Sequence, residues 1–169
     1  RAQWIAAEKD FYSRALKIFN APDWYKMAMP PKEKIDGELW VGRENFQHMG
    51  VVRRKEPDEE GWMVVKFMAY DLPDKEKPFS ERIKLLKKIV KDNEVRWNII
   101  REDLPEPFNT IECPLVFAPQ TKIKSEDQLM KAYNKIIQGG GEGVMIKQGE
   151  SMYENGRSNL MLKLKPSFD

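Results

Sequence analysis

The residues of this chain best suited to chemistry cluster in Lys34-Ile35-Asp36-Gly37-Glu38-Leu39-Trp40. Two chemical readings compete. In the first, Lys34 opens a Lys-x-Asp-Gly run as a covalent nucleophile, which requires desolvation or nearby cations to lower the pKa of its amine. In the second, the run is a strand and Glu38 is a polar contact to a bound nucleotide. The plain alternative is a strand with a turn, because Asp-Gly is a common turn dipeptide. Further along, Tyr70 closes an apolar run, Glu142 follows three glycines, and Lys163 and Lys165 alternate with leucines. Taken singly these features carry little: a Lys-x-Lys strand is ordinarily a solvated sheet face, and an aromatic at a strand end is ordinarily core.

The elements that must hold these residues follow from periodicity. Arg1 to Ala6 and Phe11 to Arg14 read as a hairpin around Glu8-Lys9-Asp10. Pro22 and Asp23 start a helical turn carrying Trp24 and Tyr25, which Pro30-Pro31 ends. Ile35 to Val41 reads as a strand with Glu38 inside it, where a buried charge would need a partner. Glu44 to Val52 has helical spacing, and Trp62 to Tyr70 reads as a buried strand. Ser80 can cap a helix over Glu81 to Lys91, with Ile83, Leu86, Ile89 and Val90 as its apolar stripe and its lysines in water. Thr110 to Phe117 is a further strand, edge or bulged because of Pro114. Ser125 to Gln128 has capping-box form and starts a helix with Leu129, Tyr133, Ile136 and Ile137 inward, ended by Gly139-Gly140-Gly141. Gly143 to Lys147 and Leu160 to Lys165 are the last strands, the latter with Leu162 and Leu164 toward the core and both lysines on the other face. Short connections between strands predict an α+β fold with antiparallel sheets flanked by helices, not a doubly wound one.

Composition bounds the function. At 169 residues, 41% hydrophobic and 33% charged, the chain is an ordinary globular domain. With 29 Lys+Arg against 27 Asp+Glu, any nucleic-acid surface must be a local patch. The single cysteine, Cys113, excludes an internal disulfide and a cysteine-rich zinc site, fits an intracellular setting, and reads as a buried small residue. His48, the single histidine, reads as structural. No apolar run approaches the roughly 18 residues of a membrane span.

In order, Asp36-Gly37-Glu38-Leu39-Trp40-Val41-Gly42-Arg43, Phe67 to Asp71, Glu142-Gly143-Val144-Met145-Ile146-Lys147, Tyr153 to Arg157 and Met161-Leu162-Lys163-Leu164-Lys165-Pro166 resemble the covalent nucleotidyltransferases, and most of all the minimal ATP-dependent DNA ligases. The resemblance covers nearly the whole chain and implies the DNA ligase/mRNA capping nucleotidyltransferase (ATP-grasp-like) fold. In that family a Lys-x-Asp-Gly-x-Arg motif precedes a Ser-Arg hairpin, and Asp-Gly-Glu comes later. Here Arg1 resembles the end of the first motif and Ser13-Arg14 the hairpin, while Leu39 stands where an Arg after Lys34 would be needed. Lys34 is therefore read as incidental. The nucleophilic lysine is expected upstream of Arg1 and an oligonucleotide-binding domain after Asp169, so residues 1–169 are expected to be an adenylation domain from a larger, monomeric protein.

The resemblance also implies roles. Glu38 would accept hydrogen bonds from the ribose of ATP, and Tyr70 would stack on adenine, where the family usually has Phe. Arg1 and Arg157 would contact the nucleotide or its phosphates, and Lys163 and Lys165 would reach the phosphates as catalytic cations. Glu142 would bind Mg²⁺, and Arg14 would bind the 5′-phosphate of nicked duplex DNA. The implied reaction is sealing of 5′-phosphate/3′-hydroxyl nicks through an enzyme adenylate and an adenylated DNA. RNA ligation, mRNA capping guanylylation and a non-catalytic nucleotide- or nucleic-acid-binding module are the alternatives.

Overall fold

The computed structural model describes residues 1–42, 46–147, 149, 152–153 and 161–165, with the backbone alone at 46–49, 161 and 163. His48, Arg157 and Lys163 therefore fall outside the described side chains. β1 (Ala2–Ile5) and β2 (Asp10–Ser13) form the expected hairpin, followed by β3 (Ile18–Phe19). Pro22 precedes α1 (Asp23–Met27), which buries Trp24 and Tyr25. β4 is Lys34–Trp40 and β5 is Lys66–Asp71. α2 runs over Phe79–Ile100, β6 over Leu115–Phe117, α3 over Glu126–Gln138, β7 over Val144–Lys147 and β8 over Met161–Leu164.

The strands make a six-stranded sheet of order β3-β2-β1-β4-β5-β6 and a separate antiparallel pair β7-β8. On the core side of the large sheet, Trp4, Phe11, Ile35, Leu39, Phe67 and Leu115 are buried. Their period-2 spacing selects that face. The Phe11 and Phe67 rings meet edge-on at 5.1 Å, and Tyr25 meets Trp62 at 4.7 Å. α2 packs on β5 and β6 with Leu86, Val90 and Trp97 buried. Each such side chain contributes about 1.5–3 kcal/mol of burial.

Several expectations need correction. β6 begins only at Leu115 and pairs parallel to β5, so the large sheet is mixed rather than wholly antiparallel. A strand parallel to its predecessor needs a crossover, and α2 provides it. That helix starts at Phe79 after Pro78 and runs 22 residues, past the expected end at Lys91. Asn93 and Trp97, on the buried face, continue its stripe beyond Val90. Its N-cap is Pro78, not Ser80. Instead the Ser80 N–H donates to the Gly149 carbonyl at 2.7 Å, tying the start of α2 to the segment between β7 and β8. The run from Trp62 opens as a 3-10 turn over Gly61–Val64 before β5 begins, and residues Phe46–Arg53 are likewise 3-10. Ser125 caps α3 as expected, accepting from the Gln128 N–H at 3.1 Å, but Gln128 reaches back to the N–H of Lys124. Its stripe, Leu129, Tyr133, Ile136 and Ile137, is only half-buried. On β8 the expected inward Leu162 is 59% exposed. Alternation separates the two faces of a strand without saying which is covered, and in this two-stranded ribbon the Leu162 face is open.

Asp36-Gly37 is not a turn; it lies inside β4. A Cβ at Gly37 would be driven into the Met68 carbonyl oxygen and the Phe67 ring. Gly37→Ala is expected to destabilise the fold by about 1–3 kcal/mol through overpacking, read as a lower midpoint in urea. An unchanged midpoint would mean that β4 and β5 are further apart than described.

Candidate functional site

β1, β4 and β5 aim one set of side chains away from the core. Gln3 lies opposite Asp36, Glu38 opposite Met68, and Trp40 opposite Lys66. The β4–β5 register shifts between Asp36 and Gly37, where Asp36 pairs with Asp71 but Gly37 pairs with Ala69. Tyr70 is the extra residue, and such a bulge re-aims a side chain. Burial first, and then Asp36, Glu38 and Asp71, push the Tyr70 hydroxyl up to about 12, although Arg1 acts against them. Tyr70 therefore stands among the acids of this face.

The floor of the site is a charge network that pattern reading missed. The buried acid of β4 is Asp36, 1% exposed, while Glu38 is exposed and open to a ligand. Asp36 accepts from Arg1 Nη2 at 2.9 Å, from Gln3 Nε2 at 2.7 Å and from the Tyr153 hydroxyl. Arg1 Nη2 also donates to the Tyr153 hydroxyl at 3.0 Å. Burial pulls the Arg1 pKa down, but Asp36, Tyr70 and Tyr153 outweigh it and raise it overall. Asp71, 3% exposed, accepts from Arg82 Nε at 2.8 Å, from Lys147 Nζ at 3.0 Å and from the Leu72 N–H. Lys147 Nζ also lies 5.2 Å from the centroid of the Tyr70 ring and 4.8 Å from that of Phe79. These contacts, with the Gly149 carbonyl, dock the β7–β8 end of the chain beside Tyr70. The signals in the sequence were Asp71 at a strand end and Lys147 closing Glu-Gly-x-x-x-Lys.

The expected residues that fall among the described ones can now be placed. Ala2 pairs with Ser13 on one side and with Gly37 on the other. Arg14, Arg1 and Glu38 therefore follow one line across the sheet, with Arg14 exposed in the turn after β2. Tyr70 is half-buried next to that line. Gly143, at φ 154°, approaches so closely that a Cβ would strike the Leu164 carbonyl, which brings the exposed Glu142 and Lys165 to one end of the ribbon. The register sets position 163 opposite Met145. No hydrogen bond or ion pair among the described residues joins Glu142 or Lys165 to Arg1, Glu38 or Tyr70. Lys34 lies at the other end of β4, opposite Ile5, and is exposed. Cys113 is buried, and burial first raises its thiol pKa, which suits a packed residue and not a nucleophile.

A magnesium ion suits this donor set. Mg²⁺ ordinarily takes one or two carboxylates and completes its shell with water and substrate phosphates, and Glu142 offers one exposed carboxylate. Among the described residues no group of three His, Cys, Asp or Glu forms a ready-made cage. No helix among them is long and apolar enough to cross a membrane.

Three comparisons bear on this arrangement. The family model for the ATP dependent DNA ligase domain matches residues 3–165. A DNA ligase of Haemophilus influenzae is 26% identical over 157 residues, covering 93% of this chain and 52% of the relative. A solved Lig E DNA ligase superposes with a TM-score of 0.73 at 27% identity, covering 98% of this chain and 57% of that one. The Chlorella virus DNA ligase-adenylate superposes with a TM-score of 0.65 at 19% identity, covering 92% and 56%, which bears on the fold alone. The chain spans about half the length of the relatives it matches.

Proposed function

The chain belongs to the ATP-dependent DNA ligase domain family, and from that premise we propose that residues 1–169 are the adenylation domain of a ligase that seals nicks in duplex DNA. The observation that carries the reading is the line of Arg14, Arg1 and Glu38 across the sheet beside Tyr70, with the β7–β8 ribbon docked beside Tyr70 through Lys147. Those are the residue types that a nucleotide followed by a phosphodiester backbone requires.

The reaction has three displacements. A lysine amine upstream of Arg1 attacks the α-phosphorus of ATP; the N–P bond forms and the bond to pyrophosphate breaks. The 5′-phosphate at the nick then takes AMP from the lysine. Finally the 3′-hydroxyl attacks the phosphorus of the nick 5′-phosphate; the new P–O bond joins the strand, the anhydride bond to AMP breaks and AMP leaves. Tyr70 stacks on adenine with the ring face that Lys147 leaves free, and Glu38 accepts from the ribose hydroxyls. Arg1, Arg157, Lys163 and Lys165 neutralise phosphate charge as it develops. Arg14 holds the nick 5′-phosphate through its guanidinium fork. Glu142 holds Mg²⁺, which supplies further charge neutralisation when bound.

The test is to incubate the full-length protein with ATP, Mg²⁺ and a nicked DNA duplex. Sealed DNA is expected. Sealing of nicked RNA only, or labelling by GTP in place of ATP, would assign the chain to RNA ligation or capping instead. In the same protein Lys34→Ala is expected to form the AMP adduct at the wild-type rate, because Lys34 is exposed at the end of β4 opposite Ile5, away from Arg1 and Glu38. Loss of labelling in a folded Lys34→Ala protein would make Lys34 the nucleophile.

A further inference from the structure

Tyr153 has no part in the chemistry above, yet it is buried and its hydroxyl donates to Asp36, the most buried acid of the site. We propose that Tyr153 is a positioning residue, whose hydroxyl fixes the direction of the Arg1 guanidinium toward the nucleotide through Asp36. The inference rests on the assignment of Arg1 to the nucleotide site in the proposed function.

The geometry is a closed triangle. Arg1 Nη2 donates to Asp36 Oδ2 at 2.9 Å and to the Tyr153 oxygen at 3.0 Å, and the Tyr153 hydroxyl donates to the same Asp36 oxygen. The other Asp36 oxygen is held by Gln3 Nε2 at 2.7 Å. A guanidinium bound to one carboxylate oxygen through one nitrogen can pivot about that bond. A second acceptor removes the pivot, and Tyr153 is that acceptor. The remaining donors of the Arg1 fork have no partner among the described residues, and the side chain is 26% exposed, so they are available to a ligand.

Tyr153 can act as a fixed post because Arg1 does not hold it in place. The Arg82 guanidinium lies 5.7 Å from the Tyr153 ring centroid and is bound by two nitrogens to Asp71, at 2.8 and 3.3 Å. That ion pair is buried in the main body, with side chains 3% and 5% exposed. The chain around Tyr153 is anchored independently by the antiparallel bridge between Pro78 and Met152. The Tyr153 pKa is raised, first by burial and then by Asp36, so the hydroxyl keeps its proton near neutrality and serves at once as donor to Asp36 and acceptor from Arg1.

Tyr153→Phe keeps the ring and its contact with Arg82, and leaves Asp36 with two N–H donors. A small change in melting temperature is therefore expected, together with a fall of about tenfold in the rate of adenylate formation, the worth of one oriented hydrogen bond. The test is a double-mutant cycle in the full-length protein with Arg1→Lys, which keeps the charge and loses the fork. If Tyr153 acts through Arg1, the double variant is no slower than Arg1→Lys alone. Multiplied effects, or an Arg1→Lys protein as fast as wild type, would overturn the inference. A second readout does not depend on activity: the side-chain ¹⁵N signals of Arg1 should lose their slow rotation in Tyr153→Phe, and unchanged rotation also overturns it. A folded wild-type protein that forms no adenylate refutes the proposed function, and the nitrogen signals then decide the role of Tyr153.

Discussion

Lys165→Ala is expected to slow adenylate formation in the full-length protein about a hundredfold, the effect of removing a preorganised cation from developing phosphate charge. Its stability should move by less than about 1 kcal/mol, because Lys165 is exposed at the end of the ribbon and makes no ion pair among the described residues. Rate and melting temperature therefore separate. A lysine that merely wets a sheet face would change neither, so full activity in Lys165→Ala would remove this end of the ribbon from the site. Leu162→Ala is the internal control on the opposite face. With that side chain 59% exposed, its truncation should leave both quantities near wild type.

Asp71→Ala should show the reverse signature. Asp71 is the shared acceptor of Arg82 and Lys147, and all three side chains are largely out of solvent. Its removal leaves a buried guanidinium without its carboxylate, a change that costs about 3–5 kcal/mol. It also releases Lys147 from its place beside Tyr70. The expected result is a large fall in the urea midpoint, with activity lost in proportion to unfolding. A stable Asp71→Ala protein would show that the Arg82 charge finds other compensation, and would weaken the account of how the ribbon is docked.

The order of the motifs made the fold class legible, because Asp-Gly-Glu, the aromatic strand end, Glu-Gly and Lys-x-Lys in that sequence resemble one family, and the short connections between strands agree with its fold. The buried state of Cys113 follows from its small apolar side chain. Which acid would be buried was not legible. Asp36 and Glu38 share one face of β4, and burial is decided by what lies above each: Arg1, Gln3 and Tyr153 cover Asp36, and Tyr153 is more than 100 residues away in sequence. The parallel β6 escaped notice because Thr110 to Pro114 looks extended in any context, whereas pairing depends on α2 returning the chain to β5. The length of α2 was underread because its buried face beyond Val90 includes Asn93, a polar residue that donates to the Ala28 carbonyl at 2.8 Å. The openness of the Leu162 face is likewise a tertiary fact that alternation within β8 cannot supply.

The central claim is that this fold presents ATP to a lysine outside the Lys34 run. The most direct measurement is peptide mapping by mass spectrometry of the full-length protein after incubation with ATP and Mg²⁺. One AMP per molecule is expected, bound through an acid-labile phosphoramide to a lysine on the N-terminal side of Arg1. AMP attached to Lys34, or a folded protein that carries none, would contradict it.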